Sequence, residues 1–188
     1  MPGKFIGIVN FNKSSPKQLI QKIIDLHYRV IVIDYDQPYY ELINNFSHVT
    51  HWILVGDDYH LYSKNMPQLN MDIFTLDKHF LLTSSIMKSF LEQKGIAAEE
   101  DNKLYSGEIS ISVTKDDIFD TLPRKFHVYR KHKHFFTGKH NHLEILNTYK
   151  KQIMTAYYKD KGSKTILLVQ WQLEKTTDGM IILNNWID

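Results

Sequence analysis

Two serines between an apolar run and a helical pattern are the first residues whose types and spacing could do chemistry. The segment 80–90 reads FLLTSSIMKSF, in which Ser84 and Ser85 follow the apolar run. A strand that turns abruptly into a helix around a small hydroxyl residue is where several α/β enzymes hold a nucleophile. Because a serine nucleophile needs a neighbouring general base, the surrounding elements must supply one.

A second segment whose residue types could bind a ligand is RKHKHFFTGKHNH, residues 130–142. Basic residues interleaved with aromatic ones can follow a phosphate backbone and stack bases, although a solvated hairpin has the same composition. The spacing of His132 with His134, and of His140 with His142, suits metal ligands on one strand face. Neighbouring lysines repel a cation and no carboxylate accompanies the histidines, so we predict no metal site. The candidate nucleic-acid contacts are Arg130, Lys131, Lys133 and Lys139.

The composition is that of an ordinary globular protein. The chain has 188 residues, of which 43% are hydrophobic and 23% charged, and this length predicts one domain over residues 1–188. Basic and acidic residues are nearly balanced, with a formal net charge of +2, so charge alone does not predict nucleic-acid binding. The absence of cysteine excludes disulfides, thiolate metal sites and thiol nucleophiles.

The chain carries no signal for export or membrane insertion. No apolar run approaches the roughly 20 residues that cross a bilayer. The N-terminal segment lacks the long apolar region of a signal peptide, so we predict a cytoplasmic protein. Abundant Ile, Lys, Asn and Tyr are typical of an AT-rich genome, bacterial or viral, and a viral protein would lie in the host cytoplasm.

The first half of the chain predicts a doubly wound α/β fold. Short runs rich in β-branched residues are typical of parallel strands buried on both faces. We predict strands at 5–9, 30–34, 52–55 and 79–83, and helices at 38–46 and 85–94. Another helix follows Ser14-Ser15-Pro16, which we interpret as an N-cap and a first-turn proline.

The second half changes to alternating apolar and polar residues. This period of two predicts strands at 107–113, 125–130, 143–149 and 153–158, with another in 164–171. We expect them to be antiparallel and joined to the main sheet. A helix is predicted at 176–186, and nothing in the pattern indicates a linker between domains.

Four segments, in this order, resemble the landmarks of class I glutamine amidotransferases: WILVGDDYHLYSKNMP, IFTLDKHFLLTSSIMKSFLE, IFDTLPRKFHVYRKH and ILLVQWQLE. They are similar in particular to the glutaminase domain or subunit of GMP synthetase, over nearly the whole chain. The resemblance implies a flavodoxin-like, mostly parallel central sheet with helices on both faces and an antiparallel extension. It also implies glutamine hydrolysis without a cofactor, with ammonia passed to an ATP-pyrophosphatase synthetase partner.

The two central catalytic residues of the resembled family are replaced. The family's Gly-Ile-Cys-Tyr-Gly-Met-Gln aligns with residues 82–88 and puts Ser84 in place of the cysteine. Its Val-Gln-Phe-His-Pro-Glu aligns with residues 169–174, so Gln172 takes the place of histidine while Glu174 is retained. An amide has no nitrogen that titrates near neutral pH and cannot act as the base. We therefore predict that no catalytic residue set is intact.

The oxyanion loop is altered as well. Gly56, Asp57 and Ser85 stand at the oxyanion-loop positions, and Asp57 brings negative charge toward the place where negative charge must develop. Leu82 and Ile86 replace the glycines of the sharp turn, which predicts a remodelled loop.

The positions that hold substrate in the family are degenerate too. Lys88 replaces a glutamine that contacts substrate. The family's Ser-His-Gly-Asp segment reads Lys131-His132-Lys133-His134, in which only His132 matches.

These replacements predict a pseudoenzyme that acts through a protein partner or through self-association. One alternative is an active hydrolase or amidotransferase with displaced chemistry, whose base would be His27, His79 or His132. Another is a nucleic-acid-associated protein that uses residues 130–142. Tyr39-Tyr40 and Tyr157-Tyr158 are candidate interface residues, and ordinary packing explains them equally well.

Overall fold

The structure is a computed structural model that describes residues 4–56, 68–160 and 165–188. Its strands are β1 (Phe5–Asn10), β2 (Arg29–Asp34), β3 (His51–Val55), β4 (His79–Thr83), β5 (Glu99–Ser112), β6 (Lys125–Phe135), β7 (Leu143–Tyr149), β8 (Gln152–Tyr158) and β9 (Ile166–Val169). Its α-helices are α1 (Lys17–Asp25), α2 (Tyr39–Asn45), α3 (Ser84–Gln93) and α4 (Thr177–Ile187). None of these helices has the length and apolar character needed to span a bilayer.

A seven-stranded mixed sheet forms the centre of the fold. The strand order is β2-β1-β3-β4-β9-β8-β7. The first five strands of this order are parallel, whereas β8 and β7 extend the sheet in antiparallel fashion. The predicted fold class, a mostly parallel sheet with an antiparallel extension, is confirmed.

Helices cover both faces of this sheet, as predicted. Side chains of the central strands alternate between two apolar clusters, so that Trp52 and Leu54 pack on one face while Ile53 and Val55 pack on the other. The first face is covered by α2 and α3, and the second by α1 and α4. Burial on both faces explains why these strands read as continuous apolar runs.

The prediction that all the alternating segments join the main sheet is wrong for β5 and β6. These strands pair with each other as a separate two-stranded antiparallel sheet. Apolar residues of both strands, such as Ile111, Phe126 and Val128, pack in the same cluster as α1 and α4. The sheet is therefore a cover on one face of the domain, because its apolar side has a core to pack against.

The alternative interpretation of residues 130–142 as a solvated hairpin is wrong. Its first six residues continue β6 as far as Phe135, and their partner is β5 rather than residues 136–142. Even-numbered positions of β6 stay turned inward beyond residue 130, so the period of two continues through the charged stretch.

The start of α1 differs from its prediction. The helix begins at Lys17, Pro16 occupies the N-cap position, and no side chain caps the helix. Neither Ser14 nor Ser15 therefore serves as the predicted N-cap.

Candidate functional site

The aligned catalytic positions lie at the carboxyl edge of the central sheet. Ser84 follows β4 directly and is the first residue of α3. Strand β9 is the parallel neighbour of β4, with Thr83 opposite Val169, and Gln172 and Glu174 come just after β9. Because neighbouring parallel strands end at the same edge, the three aligned positions lie at the edge where open α/β sheets bind ligands.

Ser84 has a strained backbone and a buried hydroxyl. Its φ angle is 36°, in the left-handed region that residues other than glycine rarely adopt. The residue is only 1% exposed, and its Oγ has no hydrogen-bond partner among the described residues. The transition from strand to helix is therefore abrupt, but the hydroxyl neither bonds to a base nor reaches the solvent.

The backbone N–H of Ser85 is engaged by the loop after β3. It donates to the Gly56 carbonyl at 2.9 Å, and the Ser85 hydroxyl donates to the same oxygen. The Gly56 N–H in turn donates to Thr83 Oγ1 at 3.2 Å. Two of the three aligned oxyanion-loop residues are thus bonded to each other, and the third, Asp57, lies outside the described residues.

The bulky residues that replace the elbow glycines are packed in the core. Leu82 and Ile86 are fully buried on the α3 face of the sheet. A Cβ atom at Gly56 would lie 2.6 Å from Ile86 Cδ1, so the absence of a side chain at Gly56 makes room for Ile86. Packing in the core therefore accommodates the bulk of Leu82 and Ile86.

Within the described residues, His134 is an imidazole that lies beside the backbone of Ser84. It interacts with the backbone of Ser84, and its Nε2 lies 3.1 Å from Gln170 Nε2. Burial, with smaller contributions from His132 and Lys88, lowers the pKa of His134 to about 3. The ring is therefore neutral near pH 7, and an acceptor role for Nε2 toward the Gln170 amide leaves the proton on Nδ1.

The sequence interpretation did not single out His134 as a base. The signal that identifies its position is the alternation along β6, where Phe126, Val128, His132 and His134 are all buried. Of the histidines weighed as a displaced base, His79 begins β4 at the opposite edge from Ser84 and His27 follows α1. Neither is brought to the site.

The aligned substrate-binding residues do not converge. His132 is fully buried, and its Nδ1 lies 2.8 Å from the His134 carbonyl oxygen, to which it can donate. Burial and then the Arg130 charge lower the pKa of His132 to about 4. Lys131 is exposed on the other side of β6, and the Lys88 ammonium lies 2.8 Å from the Glu92 carboxylate.

Gln172 and Glu174 border a cavity of about 290 Å³ together with residues of the β1–α1 loop. The Gln172 N–H donates to the Tyr129 carbonyl at 2.9 Å, and the residue is 8% exposed. Glu174 is partly buried, and this burial raises the pKa of its carboxyl group. Ser84 does not line this cavity, so the retained carboxylate and the aligned nucleophile face different surroundings.

Among the basic residues of 130–142, Arg130 is set apart from the outward-facing Lys131 and Lys133. The Arg130 guanidinium lies between the rings of Tyr105 and Tyr149, 4.8 and 4.9 Å from their centroids, and donates to Gln152 Oε1 at 3.2 Å. Lys139 is exposed in the loop after β6. Acidic residues of β5 lie beside the basic strand, with Glu99 opposite Phe135 and Glu100 opposite His134. Opposite charge on the paired strand reduces the positive potential of β6.

The two His-x-His pairs lie in different environments. His132 and His134 are fully buried, whereas His140 and His142 lie in the loop after β6. Within residues 4–56, 68–160 and 165–188, no group of three or more His, Cys, Asp or Glu side chains could hold a metal ion.

The candidate interface tyrosines are largely structural. Tyr39 and Tyr158 are buried in the core, and the Tyr39 hydroxyl accepts a hydrogen bond from the Asn70 N–H at 2.8 Å. Tyr157 donates to Asp116 Oδ1 at 3.1 Å. These contacts favour the packing interpretation over the interface interpretation.

Comparison with curated proteins finds GMP synthases. The chain is 29% identical over 129 residues to the glutamine-hydrolysing GMP synthase of Borreliella burgdorferi strain B31, and 28% identical over 134 residues to that of strain N40. These matches cover 68% and 70% of this chain, but it spans only about a quarter of the length of either relative. No family model matches the chain.

Solved structures with the same fold include amidotransferases. A protein of Thermoplasma acidophilum described as a GMP synthase subunit superposes with a TM-score of 0.74 at 16% identity, covering 97% of this chain and 92% of that one. PurLQS of Thermotoga maritima superposes with a TM-score of 0.73 at 11% identity, covering 100% of this chain and 98% of that one. A glutamine amidotransferase of the same organism superposes with a TM-score of 0.66 at 12% identity, covering 98% of this chain and 81% of that one. The predicted resemblance to class I glutamine amidotransferases, with similarity to GMP synthases, is confirmed.

Proposed function

We propose that this chain is a GMP synthetase glutaminase-like pseudoenzyme, a single domain that acts by binding and does not hydrolyse glutamine. The observation that carries this proposal is Gln172 at the aligned position of the general base. Its side-chain amide cannot take a proton from a hydroxyl group near neutral pH. Ser84 needs such a base more than a cysteine would, because its hydroxyl has a far higher pKa than a thiol.

The hydrogen bond between Ser85 and Gly56 supports the same proposal. An oxyanion hole works through N–H groups that are already aimed at the developing charge. The Ser85 N–H instead donates to the Gly56 carbonyl at 2.9 Å. Stabilising an oxyanion at this position would require breaking that bond and turning the carbonyl away.

An active hydrolase with displaced chemistry is the second candidate, and the contact between His134 and Ser84 favours it. The left-handed φ angle of Ser84 is also typical of a nucleophile elbow. Against this candidate, a pKa of about 3 makes His134 a very weak base. Its Nε2 is also turned toward Gln170.

Ammonia release from glutamine tests these two candidates. We expect the purified protein to release none above the background of buffer, and Ser84→Ala to give the same result. A Gln172→Leu variant serves as a matched control, since it removes an aligned residue that we consider inactive. Turnover that Ser84→Ala or His134→Asn abolishes would refute the pseudoenzyme proposal and establish the candidate with displaced chemistry.

For the partner, we propose another protein chain in the cytoplasm, with an ATP-pyrophosphatase synthetase subunit as the first candidate. Two structural neighbours, described as a GMP synthase subunit and as PurLQS, carry names that refer to subunits or assemblies. Light scattering after size-exclusion chromatography of the chain alone, and mixed with such a synthetase subunit, tests this. A mass that stays at one monomer in both experiments would contradict it.

A further inference from the structure

A polar cavity of about 290 Å³ lies at the same edge of the sheet but apart from Ser84. Its walls come from the β1–α1 loop, the start of α1 and the segment after β9. Apart from Pro16, Leu19 and Val55, its lining residues are polar or charged: Asn12, Ser14, Ser15, Lys17, Gln18, Gln172, Glu174 and Lys175. The degenerate glutaminase positions explain only two of them, Gln172 and Glu174.

The start of α1 presents uncapped backbone N–H groups to this cavity. The helix is nine residues long, has proline at the N-cap, lacks a side-chain cap and has no acidic residue in its first turn. Among the described residues, the N–H groups of Gln18 and Leu19 have no hydrogen-bond partner. Both residues line the cavity, and the helix dipole makes such a terminus attractive to an anion.

Gln172 supplies an unpaired side-chain amide at the wall of the cavity. The residue is 8% exposed, and its backbone N–H is bonded to Tyr129. Its side-chain amide has no hydrogen-bond partner in the described part of the chain, and the residue lines the cavity. The amide is therefore available to donate to, or accept from, a molecule that occupies the cavity.

The remaining polar groups define what that occupant needs. The Lys175 ammonium donates to Gln18 Oε1 at 2.8 Å, which holds a positive charge beside the helix start. The hydroxyls of Ser14 and Ser15 can donate or accept. Glu174 is the one carboxylate in the lining, so it disfavours a bare anion and favours a group that donates a hydrogen bond to it.

We propose that this cavity binds a small molecule that carries an oxyanion, carboxylate or phosphate, a few bonds away from a hydrogen-bond donor. The oxyanion lies against the N–H groups of Gln18 and Leu19, and the donor faces Glu174. The Gln172 amide bonds to the molecule between these two ends. This site does not depend on the glutaminase positions being active or inactive.

The experiment titrates the full chain with glycine, acetate and inorganic phosphate at constant ionic strength, with sodium chloride as reference. Backbone amide signals of Gln18 and Leu19 are followed by NMR. We expect saturable shifts at these amides with glycine or phosphate. Tighter glycine binding identifies a carboxylate with an ammonium group, and tighter phosphate binding identifies a phosphate ester. Acetate binding as tight as both, or shifts no different from those in chloride, would overturn the proposal.

A matched pair of variants decides whether the helix start is responsible. Pro16→Asp places a carboxylate where it can cap the Gln18 and Leu19 N–H groups, so affinity should fall at least tenfold. Pro38→Asp is the control, because α2 also follows an uncapped proline but Pro38 does not line the cavity. Its affinity should stay within twofold of the unaltered chain. Equal effects of the two substitutions would contradict the site.

A third variant tests Gln172 separately. Gln172→Leu keeps the volume and removes the amide, so affinity should fall at least fivefold while circular dichroism and thermal unfolding stay near those of the unaltered chain. Unchanged affinity in this folded variant would remove Gln172 from the site and with it the proposal. Ammonia release is not a readout here, so failure of this test leaves the proposed function untouched.

Discussion

We expect that restoring two catalytic side chains would not restore the groups that must cooperate with them. Around Ser84 the hydroxyl is buried, the Ser85 N–H is bonded to Gly56, and the retained Glu174 faces another cavity. Catalytic residues of this kind act as a unit, so their effects are far from additive. These contacts therefore favour a loss of hydrolytic function that involves the whole site and not two side chains alone.

We expect the double variant Ser84→Cys with Gln172→His to release no ammonia from glutamine. The variant keeps Lys88, Leu82 and Ile86. The Ser85 N–H still donates its hydrogen bond to the Gly56 carbonyl. The measurement is the same ammonia assay, with thiol alkylation to verify that the new cysteine is reachable. Substantial turnover would show that the oxyanion loop rearranges more readily than its hydrogen bonds imply.

The buried histidines predict that the fold loses stability in mild acid. The pKa of His132 is lowered to about 4 and that of His134 to about 3, both mainly by burial. In the unfolded chain a histidine titrates near its ordinary value of about 6.5, so between about pH 6.5 and 4 the unfolded state binds more protons. The free energy of unfolding is therefore full above about pH 6.5 and falls on acidification, by on the order of a few kcal/mol.

Urea unfolding at several pH values between neutrality and pH 5 measures this loss. His132→Asn removes one titrating group while its amide can still donate to the His134 carbonyl, so the dependence on pH should become shallower. His127→Asn, at an exposed histidine of the same strand, is the control and should leave the slope unchanged. A His132→Asn slope equal to that of the unaltered chain would be evidence against a neutral buried His132.

At the scale of elements, α4 shows how a terminal helix is held in place. Thr176 accepts a hydrogen bond from the Gly179 N–H at 3.1 Å and so caps the helix. Ile182, Leu183 and Ile187 then pack in the cluster beneath the main sheet. The cap fixes where the helix begins, and the apolar face fixes its orientation.

Thr176→Ala should lower the free energy of unfolding by about 1 kcal/mol, because the first turn loses the side-chain acceptor of its Gly179 N–H. Thr176→Ser keeps the acceptor oxygen and should cost less than half as much. Urea denaturation of both variants gives the comparison. Equal losses for alanine and serine would indicate that the methyl group, and not the cap, provides the stabilisation.

For the whole molecule, the net charge and the pairing of one basic strand bear on nucleic-acid binding. The formal net charge is +2, and the basic strand β6 is paired with an acidic stretch of β5. Nucleic-acid binding depends on accumulated phosphate contacts and releases counterions as they form. An intermixed surface of this kind does not provide many such contacts.

We therefore expect no appreciable affinity for single-stranded or duplex nucleic acid, measured by fluorescence anisotropy at about 50 and about 200 mM salt. The double variant Lys131→Glu with Lys133→Glu should behave like the unaltered chain. Binding that weakens steeply with salt and disappears in the double variant would instead support the nucleic-acid alternative.

The sequence by itself determined the elements whose signal is local. Strands β1 to β4 and helix α3 were predicted within one or two residues, because buried parallel strands and amphipathic helices leave short, distinct periodicities. The order of the matching segments also located Ser84, Gln172 and Glu174 at one edge, since parallel strands place their carboxyl ends together.

Only the tertiary structure decided which strands pair and which side chains meet. The separate β5–β6 sheet, the contact of His134 with Ser84, the bond from Ser85 to Gly56 and the cavity at the start of α1 all join residues distant in sequence. A period of two predicts a strand and its inward face, but it does not specify the partner strand or the core that the face covers. Those choices follow from burying the most apolar surface across the whole chain, and no local pattern encodes that balance.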